Sequence, residues 1–294
     1  MLDATPVVVR QAGACDAHVH LFGPLTQYPI HGSTPYAVPD ATPAQLIAQM
    51  DAAGVAHAVV VHAAVSGRDN RRTLDALRAH PDRFRGVLTP PLTLPDDGQL
   101  ADWHDLGVRG IRFSYTRTAQ PGMAIDPALV SRLAERGWHA QVHLEPEHLL
   151  ELEGTLSSLP CTVVIDHMAR IPGSAGPNNP ALSALRRLLD RGHVWVKLSA
   201  PMRMSDHQQP PYDDVTPIAR ILVEQAPNRL VWGSDWPNVN LATPAPAYPV
   251  LLDLLSHWVP DANQHRQILV DNPRALYDLA ARPERTMSSP STQP

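Results

Sequence analysis

Residues 139–200 hold three short runs rich in β-branched residues: HAQVHLE (His139–Glu145), TVVIDHM (Thr162–Met168) and VWVKLSA (Val194–Ala200). Between them lie Glu147–Ser158 and Ala181–Arg191, both of helical period, the second closed by Gly192. Strands alternating with segments of that length are the mark of βαβ units on a parallel sheet. The same alternation continues toward the N-terminus. Cys15–Phe22 reads as a first strand, and Ala41–Ala53 as a helix capped by Thr42 with Pro43 in its first turn. His57–Ala63 (HAVVVHA), a helix near Asn70–His80, Phe84–Thr89, the helix Gln99–Leu106 and Val108–Ser114 (VRGIRFS) after the Gly107 stop follow in order. Asp126–Arg136, closed by Gly137, completes that side. Toward the C-terminus come a helix near Asp214–Gln225, the strand Arg229–Gly233 (RLVWG), and helical stretches near Tyr248–His257 and Asn263–Leu279.

Eight strands separated by helices predict an α/β chain folded as a single (β/α)₈ barrel, for which about 250 residues is the normal size. A doubly wound sheet competes, but it does not normally use eight consecutive units. The 294 residues are thereby absorbed by one domain, residues 1–280, with 281–294 (RPERTMSSPSTQP after Ala281) expected as a frayed tail. The first βα-loop, residues 22–41, is long and rich in Pro, Gly and Tyr, and loops of that length are usually functional. Net charge is −5, so no basic field exists to draw in nucleic acid or an anionic membrane. No apolar run approaches the ~18 residues of a membrane span, and residues 1–10 lack the form of a signal peptide. Cys15 and Cys161 offer no disulfide framework. A cytoplasmic location is expected on these grounds.

Fifteen histidines are the compositional anomaly, beside a single lysine, Lys197. In such a barrel the chemistry sits at the C-terminal ends of the strands. His18 and His20 lie near the end of the first strand, and at spacing two both project from one face. His143, His167 and Asp235 lie at or just past the ends of the fifth, sixth and eighth strands. A lone strand histidine is more often a hydrogen-bonded core residue than a ligand, and His62 is read that way. His57, His80, His104, His193, His257 and His265 are read as surface or cap residues. Five polar groups at strand ends in four strands are harder to assign to packing, because the barrel makes them converge.

Those residues carry a family resemblance. Asp16-Ala17-His18-Val19-His20, Ile165-Asp166-His167-Met168 and Trp232-Gly233-Ser234-Asp235-Trp236-Pro237 resemble the amidohydrolase superfamily. Within it they are similar to the lactonase branch of 2-pyrone-4,6-dicarboxylate lactonases and sulfomuconolactone hydrolases, through DAHVHLFGP, SGRDN, GVRGIRFS, IDHMAR and KLSAP. The resemblance implies that His18, His20 and His167 polarise a lactone carbonyl and that Asp235 takes the proton of the attacking water. It implies Arg112, Arg203 and Tyr36 as holders of substrate carboxylates, with Arg117 near a further arginine position but displaced by one residue. Guanidinium forks suit carboxylates better than lysine does. Ser66 and Asn240 are added as candidate substrate contacts, and Ser114 as a hydroxyl donor.

Two departures bear on the chemistry. Those lactonases carry a tyrosine where this chain has His143, and they work without metal. Metal-binding amidohydrolases use a strand-five histidine as a ligand. His18, His20, His143 and Asp235 would then compose a site for one divalent metal, of a three-nitrogen, one-oxygen kind that suits Zn²⁺ with a position open for water. Asn238 stands where the lactonases tend to show histidine, which alters a substrate-facing loop. The expected activity is hydrolysis of a small acidic lactone. A lactone isomerase of sugar diacids, a metal-dependent decarboxylase and a non-catalytic binder of an acidic ligand are the alternatives.

Overall fold

β-Branched and small apolar residues fill eight strands: β1 Cys15–Val19, β2 His57–Val61, β3 Phe84–Leu88, β4 Val108–Ser114, β5 His139–His143, β6 Val163–Ile165, β7 Val194–Ser199 and β8 Leu230–Gly233. The computed structural model describes residues 11–30, 34, 36–116 and 122–279. Each strand pairs in parallel with its sequence neighbour, in the order β1 to β8. Beyond the last pair, Asp235 N–H donates to His18 O (2.9 Å) and His20 N–H to Trp236 O (2.7 Å), joining β8 to β1. The result is the (β/α)₈ barrel that the alternation predicts.

Strand residues alternate between two environments, as the two-residue period requires. Along β2, Ala58 and Val60 pack in the large cluster shared with the helices, whereas Val59 and Val61 pack with Cys15, Ala17, Val87 and Val231. The helices that cover the outer faces are α1 Pro43–Ala53, α2 Arg71–Ala79, α3 Asp97–Asp105, α4 Pro127–Glu135, α5 Pro146–Ser158, α6 Pro180–Asp190, α7 Thr216–Gln225 and α8 Tyr248–Trp258. α1 begins on the expected cap: Thr42 accepts from Gln45 N–H while the Gln45 side chain accepts from Thr42 N–H.

Three local outcomes depart from the sequence reading. The stretch Asn263–Leu279 is not one helix but α9 Ala262–Arg266, a π turn over Gln267–Asp271, and α10 Asn272–Tyr277. Pro273 has no N–H for the carbonyl of Leu269 and crowds it, and the wider π turn accommodates that loss. β6 stops at Ile165, and residues Asp166–Arg170 turn sharply instead of extending the strand. His57 and His265, expected as surface or cap residues, are buried. His265 is taken up between Gln11 and Ser256, with ring nitrogens 3.1 and 3.2 Å from their polar atoms. The first βα-loop is pinched at its base by paired Phe22 and Ala41 backbones. The expected tail, 281–294, and Arg117 lie outside the described residues.

Candidate active site

The site begins with how β1 meets β8. The β1–β2 register shifts between Asp16 and Val19, a bulge of the kind found beside active sites. Asp16 turns toward the helices: Oδ2 accepts from Tyr248 OH at 2.8 Å, and Oδ1 accepts from the N–H groups of His18 (3.1 Å) and Ser234 (2.9 Å). One carboxylate thus fixes the backbone on both sides of the seam. Burial pushes its pKa up to about 6, against the pull of its bonds to Ser234.

His18 and His20 face each other with Nε2 atoms 3.3 Å apart. His20 Nδ1 lies 2.8 Å from Val61 O, so that nitrogen carries the proton. His167 comes from the turn after β6, where His167, Met168, Ala169 and Arg170 all have positive φ, between 49° and 57°. A left-handed residue other than glycine costs ~1 kcal/mol or more. What opposes that cost is visible at the turn. Asp166 Oδ2 accepts from Arg112 Nε (2.8 Å) and Gln141 Nε2 (3.1 Å), and His167 Nδ1 lies 2.8 Å from Ser199 Oγ at the end of β7.

Asp235, at φ 61°, places its carboxylate among the histidines. Oδ1 is 3.4 Å from His20 Nε2, 3.7 Å from His18 Nε2 and 3.9 Å from His167 Nε2, and Oδ2 accepts from Arg203 Nε at 2.8 Å. Burial would raise this carboxyl, but Arg203 and the histidines outweigh it and hold its pKa well below the usual range. Asp166 is held low in the same way, with Arg112 as the leading counter-charge. The histidines go the other way. Burial lowers His167 to about 3, and it lowers His18 and His143 well below 6.5, helped by Lys197 and Arg112 respectively. At neutral pH the mouth therefore holds ionised Asp235 with His18, His143 and His167 as neutral imidazoles.

Above them opens a cavity of about 510 Å³. His20, His143, His167, Asp235, Arg112, Arg203, Tyr36 and Asn240 line it, with Phe22, Ala63–Val65 and Val239 as its apolar wall. His18 is wholly buried beneath it. Ser66 does not reach this cavity. The 3₁₀ turn Ala64–Ser66 gives Ala64 and Val65 to it and turns Ser66 into a small recess beside Tyr28, Asp69 and Arg72. His62 is the core residue expected, buried with Nδ1 3.1 Å from Thr73 Oγ1. The sequence reading missed Asp166, Gln141, Lys197 and Ser199 beneath the mouth and Arg170 on its wall. Gln141 was legible in principle, at spacing two from His139 and His143, and Lys197 by its singularity.

The donor set suits a small divalent ion. One ligand atom each from His18, His167 and Asp235 lie within 4.8 Å of one another. The spacings of His18, His20 and Asp235 approach the edge of about 3.3 Å that tetrahedral zinc with ~2.0 Å bonds to nitrogen requires. Of the expected ligands, His20 and His143 are not in this three-residue group, and His167 is in it. The His143 ring stands 5.6 Å from that of His167, and its Nδ1 is buried without a hydrogen-bond partner.

Residues 15–279, the span holding every one of these groups, match the family model described as Amidohydrolase. The chain belongs to the amidohydrolase family. This amidohydrolase is 38% identical over 276 residues to the 2-pyrone-4,6-dicarboxylate hydrolase of Comamonas testosteroni, with 90% of each chain covered. It is 36% identical over 273 residues to the 4-sulfomuconolactone hydrolase of Rhizobium radiobacter, covering 91% of this chain and 90% of that one. A Pseudomonas putida protein provisionally named a 2-pyrone-4,6-dicarboxylic acid hydrolase has a solved structure that aligns with a TM-score of 0.81 at 28% identity. That alignment covers 92% of this amidohydrolase and 100% of the other chain.

Proposed function

We propose that this amidohydrolase opens the ring of a small lactone bearing carboxylate or sulfonate groups by adding water across its acyl–oxygen bond. The observation that carries the reading is the Asp235 carboxylate set among His18, His20 and His167 beside a cavity that also presents Arg112 and Arg203. The names of the relatives, lactone hydrolases of acidic rings, support the substrate class. Water adds to the acyl carbon while Asp235 Oδ1 accepts its proton, and His18, His20 and His167 stabilise the oxyanion. The ring C–O bond then breaks. The leaving oxygen takes a proton, for which His167 is the relay, and a hydroxy acid or its keto form results. Arg203, Arg112 and Tyr36 grip the acidic groups, with Asn240 at the rim.

A divalent ion, zinc by its donors, would be held by His18, His20, His167 and Asp235, and would lower the pKa of a bound water toward ~7. His143 then serves the substrate side of the cavity instead of the ion. Two buried, free cysteines, Cys15 and Cys161, suit a reducing cytoplasm. Among the described residues no helix is long and apolar enough to cross a membrane.

A panel of acidic lactones, assayed with chelator-treated and zinc-loaded protein, tests the reading. Ring opening of at least one member is expected in one form. Its absence in both overturns the proposal. Asp235→Asn is expected to lower kcat by about 10²–10⁴. Incorporation of ¹⁸O from solvent separates hydrolysis from isomerisation, in which a substrate hydroxyl would attack instead.

A further inference from the structure

None of the steps above uses the one lysine of the chain. Lys197, on β7, is wholly buried beneath the mouth. Its Nζ lies 2.8 Å from Ala17 O, 2.8 Å from Gln141 Oε1 and 3.2 Å from His18 Nδ1. The Gln141 amide has a defined orientation, because its Nε2 donates to Asp166 Oδ2. An ammonium has three N–H groups and no lone pair, so three neighbours at bonding distance must all accept. His18 Nδ1 is then the bare nitrogen. Asp166 Oδ1 is also 3.2 Å from that nitrogen, yet it makes no aligned hydrogen bond. It acts as the counter-charge for the ammonium, 3.6 Å away.

A neutral imidazole with Nδ1 bare carries its proton on Nε2, the atom that faces His20 and Asp235. His20 carries a proton on Nδ1, which bonds Val61 O. His18 Nε2 lies 3.3 Å from His20 Nε2 and 3.7 Å from Asp235 Oδ1.

We propose that Lys197 is a positioning residue that holds His18 as its Nε2–H tautomer. It thereby keeps a hydrogen-bond donor on the nitrogen that faces the floor of the cavity and weakens capture of a divalent ion by that nitrogen. An ion would need His18 Nε2 bare and Nδ1–H donated onward, the carboxylate–histidine–metal arrangement. Asp166 Oδ1 stands ready to accept that proton, and Lys197 opposes the exchange. The donor role rests on the lactone-hydrolase reading, whereas the tautomer and the ion affinity do not.

Three measurements test this. ¹⁵N-histidine NMR of the unsubstituted protein, with the His18 signal assigned by its loss in His18→Asn, is expected to show the proton on Nε2. A proton on Nδ1 overturns the proposal without any Lys197 variant needing to fold. Lys197→Met is expected to bind zinc, in competition with a chelator, about 10–100 times more tightly, the scale of a changed partner behind a ligating histidine. It should lower kcat of the zinc-free protein about tenfold or more with KM little changed. Lys197→Gln keeps an N–H for Nδ1 and should stay close to the unsubstituted protein in all three readouts. Equal zinc affinity in Lys197→Met and the unsubstituted protein overturns the proposal. Absence of any lactone turnover would remove the donor role alone.

Discussion

At the scale of single residues, the two arginines expected as substrate clamps differ in what else they do. Arg112 is 3% exposed and bonds the wholly buried Asp166, so its removal takes a charged hydrogen bond from that carboxylate and leaves it Gln141 and Lys197, at a cost of about 1.5–3 kcal/mol. It is as much a part of the floor as of the clamp. Arg203 is 17% exposed and bonds Asp235 through Nε and Val239 O through its Nη2. It can turn to a ligand without emptying the interior. Arg203→Lys is expected to raise KM about tenfold for lactones with acidic groups, because an ammonium cannot reproduce the fork. A neutral lactone should be affected much less. Steady-state kinetics on matched acidic and neutral rings check this, and equal effects on both would assign Arg203 to holding Asp235 alone.

At the scale of elements, the β1–β8 seam depends on a missing side chain. A Cβ on Gly233 would lie 2.6 Å from His18 Cβ and 2.9 Å from His18 N, and the backbone atom cannot swing away. Gly233→Ala is therefore expected to force the strands apart. A loss of about 1–3 kcal/mol, the usual cost of overpacking, should appear as a lower urea midpoint. Activity should fall further than stability, because the displaced residue is His18. At the turn after β6, composition and structure disagree on where the strand ends. The run TVVIDHM has strand-like composition, and composition alone extends it to Met168. What ends β6 at Ile165 is a buried ion pair to β4 and a bond to β7, both remote in sequence, which offset four left-handed residues.

At the scale of the whole molecule, buried neutral histidines make stability sensitive to acid. His62 is lowered to about 4, and His139 and His167 to about 3, in each case first by burial. The unfolded chain takes up these protons near pH 6.5 and the folded chain does not, so stability is complete above 6.5 and falls as the pH drops. Each histidine costs about 2 kcal/mol by pH 5. Asp16 has the opposite sign. Raised to about 6 by burial, it takes its proton in the folded state first and offsets about 1 kcal/mol over the same range. The net expectation is a marked decrease in thermal midpoint between pH 7 and 5. A flat profile would mean that these rings are protonated in the folded protein.

The sequence by itself determined the barrel, because strand and helix periods and their caps are local properties repeated along the chain. It also determined that His18, His20, His143, His167 and Asp235 share one mouth, since every parallel strand of a barrel ends on the same side. Tertiary structure alone decided the rest. Ser66 faces away because a 3₁₀ turn rotates it, and Arg112 and Arg203 are paired with carboxylates that the linear order does not bring near them. The proton on His18 is set by a lysine 179 positions away. Such contacts depend on distances of a few tenths of an ångström between remote strands, and periodicity carries no information about those.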